Sequence, residues 1–205
     1  MQFFKHHKKK KNIIGTIISI FLGCIMIFLY IYNTESPLAA PCDLSHVQTG
    51  DLILTVGDSF KSKIVKTFEK STDGNADYSH IGVFFRAGDS THIVHMSIDD
   101  GVIKREGLND FISNNGVIDY DIYRTAEPIP HPDRLQSIID SVADTQKPFD
   151  HKFNMESEEA YYCTEFIYKT FIQTGMTEMK NITYSNYLYP NDIAHSKLFT
   201  KQTKH

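Results

Sequence analysis

From Ile13 to Tyr32 the chain runs 20 residues without one charged side chain, directly behind a segment that holds five lysines and no acid. At about 1.5 Å per residue, a helix of that length matches the roughly 30 Å hydrocarbon core of a bilayer. The run predicts a transmembrane anchor over 13–32 preceded by a basic cytoplasmic tail over 1–12. Lys5 and Lys8 to Lys11 hold the N-terminus inside by the positive-inside rule, so everything after Tyr32 is sent across the membrane, to the periplasm or cell surface. Two alternatives attach to the same run. A cleaved signal peptide needs "PLAAP" at 37–41 as its cleavage site, far beyond an apolar stretch already long for one. A lipid on Cys24 of "FLGC" needs the polar chain to begin there, whereas the apolar run continues to Tyr32. An uncleaved anchor is the favoured reading.

Charge sets the rest of the chain apart from that tail. Without the five lysines, the chain carries 16 basic residues against 25 acidic ones, a balance of −9. A nucleic-acid binder needs a basic surface to neutralise phosphates, so that class is excluded. The hydrophobic content of 41% is enough for a core. Residues 33–46 read as a linker, and 47–200 as one folded domain.

Within the domain, "GDLILTV" predicts a short strand from Leu52 to Val56. A helix is expected after Asp58, with Phe60, Ile64 and Phe68 at four-residue spacing. The breaker "STDGNAD" comes next, and then "SHIGVFFR", "HIVHMSI" and "GVIKR" read as strands of an antiparallel meander, the last two joined by the turn Asp99–Asp100–Gly101. "VIDYDIYR" alternates as a half-buried strand. Leu135, Ile138, Ile139 and Val142 mark an amphipathic helix with Pro132 in its first turn. Another helix begins at Cys163 and ends before Gly175, and a short one opens near Pro190. Strands grouped centrally with helices around them make the class α+β.

Cys163 stands in the first turn of its helix, where the helix dipole and unpaired N–H groups favour thiolate over thiol. Two readings of it stay open on this stretch alone: a small buried apolar residue, as most unpaired cysteines are, or a nucleophile. A disulfide to Cys42 would abolish the second, yet Cys42 lies in the aperiodic linker, which has little need of a staple. A nucleophilic thiol needs a base, ordinarily histidine. Of ten histidines, His80 opens an otherwise apolar strand directly after the polar Asp77, Tyr78 and Ser79, as a residue facing a cleft does. A structural histidine is the bland reading. His92 and His95 are three apart on the next strand, hence on opposite faces, so one alone can face His80. For the same reason a zinc set built from His80, His92, His95 and Cys163 does not close, and neither metal nor cofactor is expected.

"TGDLIL", "YSHIGVFF", "HMSIDDGVIKREGLNDFI", "KPFDHKF" and "YYCTEFIY", in that order across residues 47 to 198, resemble the circularly permuted papain-like cysteine hydrolases of the NlpC superfamily, particularly the YiiX/YaeF-like branch. The resemblance implies a permuted papain-like fold in which histidine precedes cysteine. It makes Cys163 the nucleophile and His80 the general base. His95 takes the place of the third, orienting residue, commonly Glu in this branch and His in the related lecithin:retinol acyltransferases. Glu165, two residues after the cysteine, is read as structural. An oxyanion is expected to meet the backbone N–H of Cys163 and a side chain, Tyr78 or Tyr162. The implied reaction is cleavage of an amide through an acyl-enzyme, with a cell-wall peptide as substrate. The alternatives are a lipid-directed acyltransferase or esterase and a non-catalytic envelope binding module.

Overall fold

Short apolar runs between turn residues become strands, and tight connections between them force antiparallel pairing. The computed structural model of the chain describes residues 19–23, 26, 36–58, 62, 78–97, 99–184 and 186–203. Its six strands are β1 (Leu52–Gly57), β2 (His80–Ala87), β3 (Ser90–Met96), β4 (Ile103–Glu106), β5 (Val117–Thr125) and β6 (Phe199–Gln202). They form one sheet in the order β4-β3-β2-β1-β5-β6, with every neighbouring pair antiparallel. The helices are α1 (Leu108–Asn114), α2 (Pro132–Asp144), α3 (Cys163–Gln173) and α4 (Pro190–His195), with a 3-10 turn at Thr177–Asn181. The class is α+β, as the sequence implies.

The central strands read as continuous apolar runs because both faces of the sheet are covered. Leu52, Leu54, Ile81, Val83, Phe85, Val94 and Met96 face one core, closed by Leu135 and Ile139 of α2 and Phe166, Ile167 and Phe171 of α3. The alternate residues Ile53, Phe84 and Ile93, with Val117, Tyr120 and Ile122 of β5, face a second core closed by Leu108, Phe111 and Ile112 of α1. Helix α3 ends where Gly175 takes φ +89°, a left-handed conformation that glycine enters without a Cβ clash. Met176 N–H donates to Phe171 O at 3.2 Å and Gly175 N–H to Ile172 O at 3.0 Å, the paired bonds of a Schellman stop.

Contacts divide the chain into Met1–Pro37 and Leu38–His205. In the first unit, residues 19–23 and 26 are helical. The tail 1–12, Cys24 and the rest of the expected span 13–32 lie outside the described residues, among which no helix is long and apolar enough to cross a membrane. The helix expected after Asp58, with Phe60, Ile64 and Phe68, lies outside them too, apart from a helical Ser62.

Part of the segment that composition marks as a linker is docked on the domain. Ala39 N–H donates to Val117 O at 2.8 Å, the Tyr120 hydroxyl donates to Ala40 O at 3.0 Å, and Ala39, Cys42 and Leu44 pack against the α1-side core. No disulfide joins Cys42 to Cys163.

Candidate active site

His80 is the first residue of β2, opposite Thr55 of β1, and alternation turns its side chain to the α1 face of the sheet. There its ring stacks on Phe111, with centroids 6.0 Å apart and planes 24° apart. His95, on β3, points to the same face and is fully buried. The two imidazoles meet edge to face, with His80 Nε2 2.9 Å from His95 Nδ1.

The contact continues one residue further. His95 Nε2 lies 2.9 Å from Oε2 of Glu106, the last residue of β4. In the β3–β4 register, Glu106 pairs with Ile93 and Lys104 with His95, so both side chains share the histidine face. Glu106 also accepts from Asn114 Nδ2 at 2.7 Å and Asn115 Nδ2 at 3.4 Å, and Lys104 Nζ is 3.8 Å from its other oxygen. The hydrogen bond from His95, together with Asn114 and Lys104, outweighs burial and holds the Glu106 carboxyl down at about 2. For His80, which is partly buried as a residue, burial and then the neighbouring His95 pull the pKa down to about 3. His80 is therefore a neutral base across the physiological range.

Cys163 is the first residue of α3, partly buried against the larger core. The residues before it fix its position. Tyr161 forms a parallel bridge with Phe149, Phe149 N–H donates to Gly101 O at 2.8 Å, and Gly101 N–H donates to Ser97 O at 3.0 Å. This chain of bonds ties the start of α3 to the turn between β3 and β4. That is the end of the sheet where β3 leaves His95 and where β2 begins with His80, and α3 packs on both strands.

Glu165 is completely buried in the first turn of α3. It accepts from Tyr162 N–H at 3.3 Å, a helix-capping bond, and pairs through its other oxygen with Lys169 at 2.9 Å. Burial raises its pKa while Lys169 opposes the rise. Lys169 itself is anchored on Ser157 O and Glu158. Glu165 thus braces the helix start that carries the thiol.

The hydroxyls of the two tyrosines expected near an oxyanion both have hydrogen-bond partners within the domain. Tyr78 donates its hydroxyl to Asp121 at 2.6 Å and meets the Tyr123 hydroxyl at 3.1 Å, while its N–H donates to Asn191 Oδ1 at 3.3 Å. Burial and Asp121 raise its pKa. The Tyr162 hydroxyl donates to Met155 Sδ at 2.9 Å and accepts from Leu188 N–H at 3.3 Å, and burial raises its pKa.

Glu106 is the site residue that sequence reasoning missed. The signal was present: a hairpin turned by Asp99–Asp100–Gly101 sets "IKRE" against "IVHM", and period-two alternation then puts Glu106 on the face of His95.

A family described as permuted papain-like amidase enzyme, YaeF/YiiX, C92 family, matches residues 46–204. No curated protein matches. Among solved structures, the crystal structure of metalloprotein yiiX from Escherichia coli O157:H7 is similar at a TM-score of 0.59 and 20% identity. The match covers 77% of this chain and 97% of that one, a likeness of fold. Among the described residues of this chain, no three His, Cys, Asp or Glu side chains are arranged to hold a metal ion.

Proposed function

The chain belongs to the permuted papain-like amidase family, and from that premise we propose that it is a thiol amide hydrolase with Cys163 as nucleophile and His80 as general base. The observation that carries the reading is the His80–His95 contact at 2.9 Å. It occupies Nε2 of the histidine that opens β2, so Nδ1 is the nitrogen this reading assigns to the thiol proton. The order of the two residues, histidine before cysteine, also fits the wider NlpC kinship.

In this reading His80 Nδ1 takes the proton from Cys163 Sγ, and the thiolate adds to the amide carbonyl carbon. The resulting oxyanion meets backbone N–H groups of the first turn of α3, which have no intrahelical acceptor. Collapse breaks the C–N bond, and the departing amine takes the proton from His80. Water then attacks the thioester, giving its proton to His80, and Cys163 leaves as the thiol once that proton returns. No step is routed through a metal.

A cell-wall peptide is the proposed substrate class, and the charge-free run 13–32 behind five lysines favours an extracytoplasmic domain held beside the membrane. A second reading, an acyl chain as the group transferred to Cys163, is favoured by one observation. Phe153, Tyr184 and Tyr187 are large apolar residues left 36–39% exposed. Two of these rings gather by the residue preceding Cys163: Phe153 packs on Tyr162 at 5.2 Å and Tyr187 on Phe153 at 5.7 Å. Phe153 also holds φ at 53°, an uncommon conformation for an aromatic residue.

The test uses the full-length chain. Iodoacetamide at neutral pH is expected to label Cys163 ahead of Cys42, and His80→Ala to suppress that labelling; equal labelling of the two thiols rejects the hydrolase. Incubation with murein peptides and, separately, with phospholipid vesicles, followed by mass spectrometry of Cys163, decides the substrate. A peptidyl adduct supports the first reading and a fatty-acyl adduct the second.

A further inference from the structure

Resting on the thiol hydrolase reading and deepening it, we propose that His80, His95 and Glu106 form a proton relay. Glu106 is its positioning residue: it sets the tautomers of both imidazoles and balances the positive charge that His80 passes back.

The tautomers are fixed by donor and acceptor counts. An ionised carboxylate only accepts hydrogen bonds, and Glu106 is held ionised by its partners. His95 Nε2, 2.9 Å from that carboxylate, must therefore carry the proton. A neutral imidazole has one N–H, which leaves a lone pair on His95 Nδ1. That lone pair faces His80 Nε2 at 2.9 Å, so His80 carries its proton there and is bare at Nδ1. The opposite tautomer of His95 sets a lone pair against a carboxylate oxygen at hydrogen-bond distance, two acceptors with no proton between them. One glutamate thus decides the protonation of a nitrogen two rings away.

Charge gives the relay its purpose. His80 stacks on Phe111, and burial, with His95 beside it, makes an imidazolium there unfavourable even though the Glu106 charge opposes the shift. As Cys163 gives its proton to His80 Nδ1, the Nε2 proton of His80 moves to His95 Nδ1. The products are a thiolate, a neutral His80 protonated at Nδ1, and a doubly protonated His95 whose Nε2–H lies on Glu106. No proton is gained or lost, and the charge rests against its counter-ion. Reprotonation of the departing amine runs the same path backwards. Around the relay, β4 presents Lys104, itself paired with Asp100, while α1 presents Phe111 and the amides of Asn114 and Asn115.

The direct test is a two-bond proton–nitrogen correlation spectrum of the histidine rings in the 15N-labelled full-length chain at pH 7. Both His80 and His95 are expected as Nε2–H tautomers; a proton on Nδ1 of either ring overturns the relay. Glu106→Gln removes the charge at constant shape. It is expected to slow Cys163 alkylation by about tenfold or more and to move its pH midpoint up by about one unit. An unchanged profile and unchanged tautomers overturn the assignment. Arg105→Ala, on the other face of β4, loses its contacts with Asp140 and Phe85 and serves as the structural control. It is expected to lower stability and leave tautomers and profile where they are. Should Glu106→Gln not fold, the wild-type spectrum decides alone. The expected tautomers with an unreactive Cys163 sink the hydrolase reading and spare the relay; a reactive, His80-dependent Cys163 with other tautomers does the reverse.

Discussion

Gly82 lies directly against His95: a Cβ on residue 82 would stand 3.3 Å from His95 Cβ and 2.7 Å from Ile93 Cγ2. Only a residue without a side chain lets β2 and β3 keep their register while His95 reaches His80. Gly82→Ala is expected to cost about 1–3 kcal/mol of stability through overpacking. It should also slow Cys163 alkylation about tenfold as the imidazoles part. Urea denaturation and the labelling rate check the two effects, and a stable variant with full reactivity rejects the account.

Replacing His80 by Ala removes the proposed base, whereas His95→Gln keeps an acceptor near His80 but breaks the link to Glu106. The first is expected to reduce Cys163 labelling at pH 7 by about 100-fold or more and the second by about tenfold. If His95→Gln is without effect, another group orients His80.

Stability should fall with acid in two overlapping windows. His80 has its folded pKa lowered from 6.5 to about 3, so between those values the unfolded chain binds a proton that the folded chain does not. Glu106, lowered from 4.5 to about 2, has the same sign in its own window. Both contributions are fully present above pH 6.5 and are lost as pH falls, each by at most about 1.4 kcal/mol per pH unit. Urea titrations from pH 7 to 3 measure the slope, and His80→Ala is expected to flatten it between pH 6.5 and 4.5.

Asp51 is buried beneath Arg124, which donates through Nε at 2.8 Å and Nη2 at 2.6 Å to its two carboxylate oxygens. The same guanidinium donates to His46 O at 2.7 Å, tying the entry of β1 to β5. Arg124→Met leaves a buried carboxylate without its partner and is expected to cost about 3 kcal/mol. Asp51→Asn combined with Arg124→Met should recover part of that loss. Thermal melts of the three variants decide, and a single variant as stable as the parent refutes it.

Much of this architecture was legible because the signals were local. Leu135 and Ile139 recur at helical spacing and are buried in α2, and the Asp99–Asp100–Gly101 turn sets the β3–β4 register. Helix α1 escaped notice because it is seven residues long, and its cap, Gly107, makes no side-chain bond. Strand β6 escaped because Phe199 is its one buried residue. Glu106 was hidden for a different reason: its partner lies across a hairpin, and a carboxylate ending a strand of charged residues reads as solvent-facing. Tyr78 precedes His80 by two residues, yet its ring lies in the larger core, on the side where α3 packs. Its hydroxyl goes to Asp121 on β5.

The sheet is the common wall of two cores, because alternate residues of the same strands line each of them. The imidazole pair lodges with α1, and the apolar stripe of the thiol-bearing helix lodges on the far side. The strands that carry His80 and His95 are the ones on which α3 packs, so a change that shifts either strand is felt on both sides. A pair of imidazoles on one face and a helix start on the other are thereby geared to the same two strands, and neither moves alone.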